Sequence, residues 1–403
     1  MNLACCVLPR VANLLKNIRT CLASRETQCL LAASTITVIF LGATSSAQSY
    51  GFGVGAFSVA PAPQAVVSAD FNGDGRPDLA IADNSGISVL LGGSFSSRKD
   101  YSTGEFTPAA LAVGDVNGDG KVDLIMAPGA SAPTQLWVLL GNGDGTFQPM
   151  ETLKLTTFGP FGITGIAVGD FNKDGHQDLA LATADNRNNP IVAILLGNGN
   201  GTFQAAVTYP TAASSSVITG DFNGDGKLDL AVSAPGAISL LLGNGDGTFR
   251  AYLQASFQNG ASKAIAAADF NHDGKLDLVV PSGNGGYRYG VSVLPGNGDG
   301  TFGEAVFYPA LPTDTFPSAV AVGDFNGDGN PDVAMANYDG DDVTVFLGAG
   351  DGTLKSAADY PGSINPTGLV QRDVQTHNLR LAKGRSSRRR QLNNEGADDQ
   401  SDR

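Results

Sequence analysis

The hydrophobic and polar positions of this chain fall into a unit that repeats. A short apolar stretch such as LAVG, IAVG or AVAVG ends in a small residue, and a polar loop follows it. Next come a stretch with apolar residues two apart, a turn, and a second apolar stretch such as ISLLLG. A Gly-rich turn then leads into a final segment that often ends Tyr-Pro (Tyr209, Tyr308, Tyr360); it reads GNGDGTF at 141, 243 and 296, GNGNGTF at 197 and GAGDGTL at 348. Apolar residues two apart mark strands and not helices. Each unit therefore predicts four short strands joined by turns.

The polar loop fixes the period. It reads DFNGDGRPDL at 70, DVNGDGKVDL at 115, DFNKDGHQDL at 170, DFNGDGKLDL at 221, DFNHDGKLDL at 269 and DFNGDGNPDV at 324, with separations of 45, 55, 51, 48 and 55. Periods of 20 to 50 residues mark repeat architectures. Four strands every 50 residues or so describe the blade of a β-propeller, in which closing the ring protects the sheet edges. The fold class predicted is all-β, a propeller over residues 48–374. The stretch GFGVGAF (51–57) resembles the Gly-rich turn and fourth strand of a further blade, and PTGLVQRDV (366–374) aligns with a first strand, which predicts seven blades closed from both termini. That last unit is irregular, because Arg372 replaces the small residue and Gln375 and His377 stand where Asn and Asp stand elsewhere.

Composition sharpens this picture. The chain has 403 residues with 53 Gly and 16% charged residues, which suits strands and tight turns. Residues 1–47 carry Arg10, Lys16, Arg19 and Arg25 ahead of the apolar run CLLAASTITVIFLGA and the small residues Ser45 and Ala47. That order predicts a signal peptide cleaved after Ala47, and hence a secreted, periplasmic or cell-surface protein. The run is short against the about 20 residues needed to span a bilayer. The expected membrane contact is through the uncleaved segment alone. All four cysteines (Cys5, Cys6, Cys21, Cys29) lie in it, so the mature chain must be held by packing or by metal. The formal charge of −14 becomes −17 without residues 1–47 and about −20 over residues 48–370, since 375–403 is a basic tail with Lys383, Arg385 and Arg388 to Arg390. So acidic a domain excludes nucleic acid and attracts cations.

The loop chemistry points the same way. Oxygens at positions 1, 3, 5 and 9, a backbone carbonyl at 7 and Gly at 6 suit a hard cation, and Ca²⁺ takes six to eight oxygens. The predicted ligands are Asp70, Asn72, Asp74, Asp78 and the Arg76 carbonyl; Asp115, Asn117, Asp119, Asp123 and the Lys121 carbonyl; and Asp170, Asn172, Asp174, Asp178 and the His176 carbonyl. The other three sets are Asp221, Asn223, Asp225, Asp229 and the Lys227 carbonyl; Asp269, Asn271, Asp273, Asp277 and the Lys275 carbonyl; and Asp324, Asn326, Asp328, Asp332 and the Asn330 carbonyl. Three carboxylates within about 5 Å repel by a few kcal/mol per pair at an effective dielectric near 20, so a turn needing no metal has no reason to gather them. An EF-hand is excluded at position 12, where Ile81, Met126, Leu181, Val232, Val280 and Met335 replace the bidentate Glu.

These units resemble the FG-GAP or VCBS type repeats of calcium-binding β-propellers, the architecture of the integrin α-chain head, over roughly residues 50–374. The resemblance implies structural Ca²⁺ in the six intact loops and interaction rather than chemistry, although related propellers occur in lectins and some polysaccharide lyases.

In a four-stranded blade the loops joining strands 1 to 2 and 3 to 4 share one face. The others share the opposite face, which varies widely within this chain and brings Arg187, Tyr287, Arg288, Tyr289 and Tyr338 to loops, where recognition residues concentrate. Trp137 stands at a register held elsewhere by Ser88, Ala193, Ser239, Ser292 and Thr344, which leaves two readings open, stacking on a sugar or packing against a neighbouring blade. Without Cys in the mature chain, and with His176 and His272 inside the loops, thiol, Ser-His-Asp and His-rich metal chemistry is excluded. The expected function is a non-catalytic interaction or adhesion module for a protein or glycan partner. The alternatives are a carbohydrate-active propeller enzyme, lyase or hydrolase, and a lectin.

Overall fold

In the computed structural model, residues 64–361 are described apart from 93–94, 96, 105, 130–133, 156–157, 159–161, 213, 235, 258–263, 284–288, 311–316 and 339, together with Leu369 and the backbones of 27–32, 36–42 and 51–57. Residues 65–361 form six antiparallel sheets, each of four strands consecutive in sequence, and 27–57 contribute a seventh sheet of three strands. Blade 3 is representative, with strands Gly165–Gly169, Asp178–Ala184, Pro190–Leu195 and Val207–Pro210. Blade 1 runs over 65–102, blade 2 over 108–154, blade 4 over 216–256, blade 5 over 266–309 and blade 6 over 317–361. The described residues contain no helix.

Sequence dictates how the blades stack. Second strands such as DLALATA are buried along their whole length, while fourth strands such as VTYP are mostly exposed. A strand with both faces covered reads as a continuous apolar run, and here the two faces differ in size. Leu179 and Leu181 point to blade 2, against Ile125, Leu136 and Val138. Ala180 and Ala182 point to blade 4, against Leu230, Val232 and Leu241. The same division brings Leu278 and Val280 onto Ala231 of blade 4, and Val333 and Met335 onto Val279 of blade 5. Large side chains reach back and small ones receive them. The small residue before each loop follows from this packing, because a Cβ on Gly169 would lie 2.7 Å from Leu228 of blade 4.

Tyrosines and phenylalanines add a second tie between blades. The Tyr101 and Tyr209 hydroxyls accept the N–H groups of Phe147 and Phe249 in the following blades, at 3.1 and 3.2 Å. The same phenylalanine rings meet Phe71 and Phe171 edge to face, with centroids 5.4 and 5.5 Å apart. Such pairs add about 0.5–1.5 kcal/mol beyond area burial.

The closing blade differs from expectation. Among the described residues six four-stranded blades are present, and seven are not supported. Gly51–Phe57 is a continuous strand paired along its length with Ile36–Gly42, which pairs in turn with Thr27–Ala32, so the stretch read as a Gly-rich turn belongs to a three-stranded sheet built from one terminus. Alternation of Gly with Phe, Val and Ala is compatible with either conformation, and pairing with the apolar run decided it. Of 366–374 only Leu369 is described, packed against Phe325, Ala334, Val343 and Val345 of blade 6. Arg372, Gln375, His377 and the basic tail lie outside the described residues.

Candidate metal centres

Each loop between first and second strands turns its polar side chains inward on its own amides. In the loop at 221, Asp221 accepts the N–H groups of Asp225 and Gly226 at 3.1 and 2.7 Å, Asn223 accepts that of Asp225 at 2.9 Å, and Asp225 accepts that of Lys227 at 3.0 Å. Because one N–H is shared by the oxygens at positions 1 and 3, both lie on the same side of the turn. The other five loops repeat the pattern. Gly at position 6 is required by its backbone, with Gly226 at φ +72° in the left-handed region.

Position 9 stands apart from the rest. Asp78, Asp123, Asp178, Asp229, Asp277 and Asp332 begin the second strands and are at most 1% exposed. In each, one carboxylate oxygen accepts the N–H of loop position 2 and the other accepts that of the first Gly of the blade's own Gly-rich turn, or of Gly92 at the matching place in blade 1. For Asp229 the donors are Phe222 at 3.0 Å and Gly243 at 2.8 Å, and for Asp123 they are Val116 at 2.9 Å and Gly141 at 2.7 Å. Burial pushes these carboxyl groups up, to about 6 for Asp78, Asp123 and Asp332, against the two amide hydrogen bonds. The negative charges at positions 5 and 1 push them further. At Asp225 desolvation also acts upward but is outweighed by the Lys227 backbone and ammonium groups, leaving a net downward shift. The Lys227 ammonium lies 3.2 Å from Asp225, an exposed pair of little energetic weight.

The donor set fits a hard cation. Carboxylates at positions 1 and 5 are close enough to push the position-9 carboxyl group up, and a carboxylate with two amide partners still has about two lone-pair directions free. Asp221, Asn223, Asp225 and Asp229 could hold Ca²⁺ with the Lys227 carbonyl, as could their counterparts. Among the described residues, no three His, Cys, Asp or Glu side chains are drawn tightly enough to form a metal site by themselves. The loop oxygens are turned to their own amides.

The family model for FG-GAP-like repeats matches residues 70–126, 115–181, 174–232, 221–280, 283–335 and 324–374, and the FG-GAP repeat matches 263–301. The chain belongs to the FG-GAP-like repeat family. No curated protein matches it in sequence. Solved structures match in fold. One is an Agrocybe aegerita lectin described as recognising non-reducing terminal N-acetylglucosamine, at 18% identity and TM-score 0.54, covering 83% of this chain and 90% of the lectin. Another is the periplasmic gluconolactonase of Pseudomonas aeruginosa, at 18% and 0.59, covering 87% and 100%. A protein from Lactobacillus plantarum matches at 14% and 0.60, covering 86% and 100%.

The opposite face of this FG-GAP chain sorts the candidate ligand residues. Arg187 is exposed in a turn that Asp185 closes by accepting the N–H groups of Arg187 and Asn189, both at 2.8 Å. Tyr338 is 41% exposed just beyond the second strand of blade 6, and Tyr289 is half-buried at the start of a third strand. Tyr287 and Arg288 lie outside the described residues. Trp137 is 2% exposed and packs with Ala80, Ala82, Val89 and Met126 between blades 1 and 2. A ring so enclosed has no face for a sugar, so the stacking reading of Trp137 is corrected to packing.

Sequence reasoning also missed polar relays at this end. In blade 6, Asn337 donates to Asp342 and Thr344, both at 2.7 Å, and Thr344 donates to Asp359 at 2.9 Å. In blade 1, Ser88 lies 2.7 Å from Asp83 and 2.9 Å from Asp100. The available signal was polarity at position 14 of the loop count, Asp83 and Asn337, inside an otherwise apolar strand.

Proposed function

We propose that this chain is an exported, calcium-stabilised propeller that presents the variable ends of its blades to a protein or glycan partner, without catalysis of its own. The observation that carries the reading is the asymmetry of the blade ends. At one end six loops repeat the same oxygen donors on the same amides, as a structural ion requires. At the other, sequence and length differ from blade to blade, and Arg187 and Tyr338 stand exposed. The six loops would take Ca²⁺ through the residues named above. The ion's contribution there is to neutralise the carboxylates at positions 1, 5 and 9 and so relieve their mutual repulsion.

A glycan partner is favoured by the hydrogen-bonding and aromatic character of the variable end, and the fold is one that a lectin also uses. The alternative is a carbohydrate-active propeller enzyme. A glycan array probed with the full chain in 1 mM Ca²⁺, which is roughly the affinity range of extracellular modules, tests the choice. Binding weakened by Tyr338→Ala supports the glycan reading. Release of reducing or unsaturated ends from a polysaccharide would replace the binding module with an enzyme.

A further inference from the structure

The FG-GAP loops are tied to one another by hydrogen bonds that run through their own backbones. The fifth residue of each Gly-rich turn donates its N–H to the position-2 carbonyl of the preceding blade's loop: Gly145 to Phe71 at 2.9 Å, Gly201 to Val116 at 3.0 Å, Gly247 to Phe171 at 3.0 Å, Gly300 to Phe222 at 3.2 Å and Gly352 to Phe270 at 3.0 Å. The N–H of that same position-2 residue is held by the position-9 Asp of its own loop, at 2.8 Å for Phe171 on Asp178. The other oxygen of that Asp holds the first Gly of its own blade's turn, at 2.7 Å for Gly197 on Asp178. That turn then clasps the blade before. The path is unbroken from the loop at 324 back to the loop at 70.

The clasp is built to be rigid. Gly247 has φ +82°, where other residues are strained, and a Cβ there would meet Leu196 of blade 3 at 2.8 Å. Phe171, whose carbonyl receives it, packs edge to face on Phe249 at the end of the same turn.

We propose that this relay couples the loops, so that a cation entering one loop raises the affinity of its neighbours and the set loads cooperatively. The proposal rests on the calcium reading above. A loop without a cation keeps its carboxylates at positions 1, 5 and 9 in mutual repulsion, and its position-2 peptide is correspondingly less fixed. Occupancy holds that peptide still and with it the next blade's turn, whose first Gly is bound to the next position-9 carboxylate. A neighbour that is already ordered loses less conformational freedom on binding, and repeat proteins transmit such terms between nearest neighbours. Repulsion between bound ions opposes the effect and is screened beyond about 8 Å at physiological salt.

The test uses the full chain and its Asp174→Asn variant. Asp174 accepts only the N–H groups within its own loop and touches neither clasp. Calcium titration by calorimetry should give a Hill coefficient above 1 in the wild type. In the variant, one ion should be lost and the midpoint of the others should rise by about fivefold, at the lower end of usual coupling between sites. Amide exchange at Gly201 and Gly247 should accelerate at calcium levels that protect the wild type. A wild-type Hill coefficient of 1 or less overturns the coupling even if the variant does not fold. So does loss of one ion with the remaining affinities and the two amides unchanged. Absence of any calcium binding would overturn the calcium reading itself.

Discussion

Asp123→Ala, studied in chelator, separates the two roles that position 9 combines. Its carboxylate is fully buried and accepts Val116 N–H at 2.9 Å and Gly141 N–H at 2.7 Å. Removing it leaves two buried donors unpaired, at about 1–3 kcal/mol each, so a loss of about 2–6 kcal/mol is available. Part of that loss is offset at neutral pH, where the carboxyl group must ionise although its folded pKa is raised to about 6 from 3.8. A raised folded pKa contributes stability that is fully present below about pH 4 and is lost as pH rises through 6. The variant lacks that contribution. Its deficit should therefore be larger at pH 5 than at pH 7, by roughly 1 kcal/mol from linkage. Urea unfolding followed by the fluorescence of Trp137, which lies at the adjoining interface, reads this directly. Asp119→Ala, at exposed position 5 of the same loop, is the control and should stay within about 0.5 kcal/mol. If the two variants unfold alike in chelator, the position-9 side chain is not a fastening between loop and turn.

Two further outcomes follow from the packing and a third from the leader. Trp137→Ala should cost about 3–5 kcal/mol through the cavity left between blades 1 and 2, and should leave any glycan binding by the folded fraction unchanged on the array. Tyr209→Phe removes one hydroxyl acceptor from the Phe249 amide and should lower stability by about 1 kcal/mol, measured by the shift of the urea midpoint. Export with cleavage after Ala47 predicts a mature chain beginning at Gln48 by intact mass, whereas retention of residues 27–42 would keep the sheet they form with 51–57.

Much of the fold is legible because the repeat is redundant. Apolar residues at positions 10 and 12 place every loop between two strands, and the Gly-rich turns place the fourth strands of blades 2 to 6. In the sequence, position 9 reads only as a ligand. Yet it is the residue that opens the second strand, directly before Leu or Val at position 10, and a carboxylate there must be buried and must satisfy amides. Trp137 was open to two readings because a column of residues reports size and not surroundings. The large ring is accommodated by Ala80 and Ala82 on the facing strand of blade 1, a compensation that lies 55 residues or more away in sequence. The blade count failed for a related reason, since 51–57 carries the turn's glycines but pairs as a strand with a segment whose composition reads as a leader.

The most direct test of the account is the melting curve of the full chain with 1 mM Ca²⁺ and with chelator. At about ten times the dissociation constant each site contributes roughly 1.4 kcal/mol, and six filled sites about 8 kcal/mol. The midpoint with calcium should be higher by roughly 10 °C, at about 1–2 °C per kcal/mol for a domain of roughly 300 residues. Superimposable curves would contradict it.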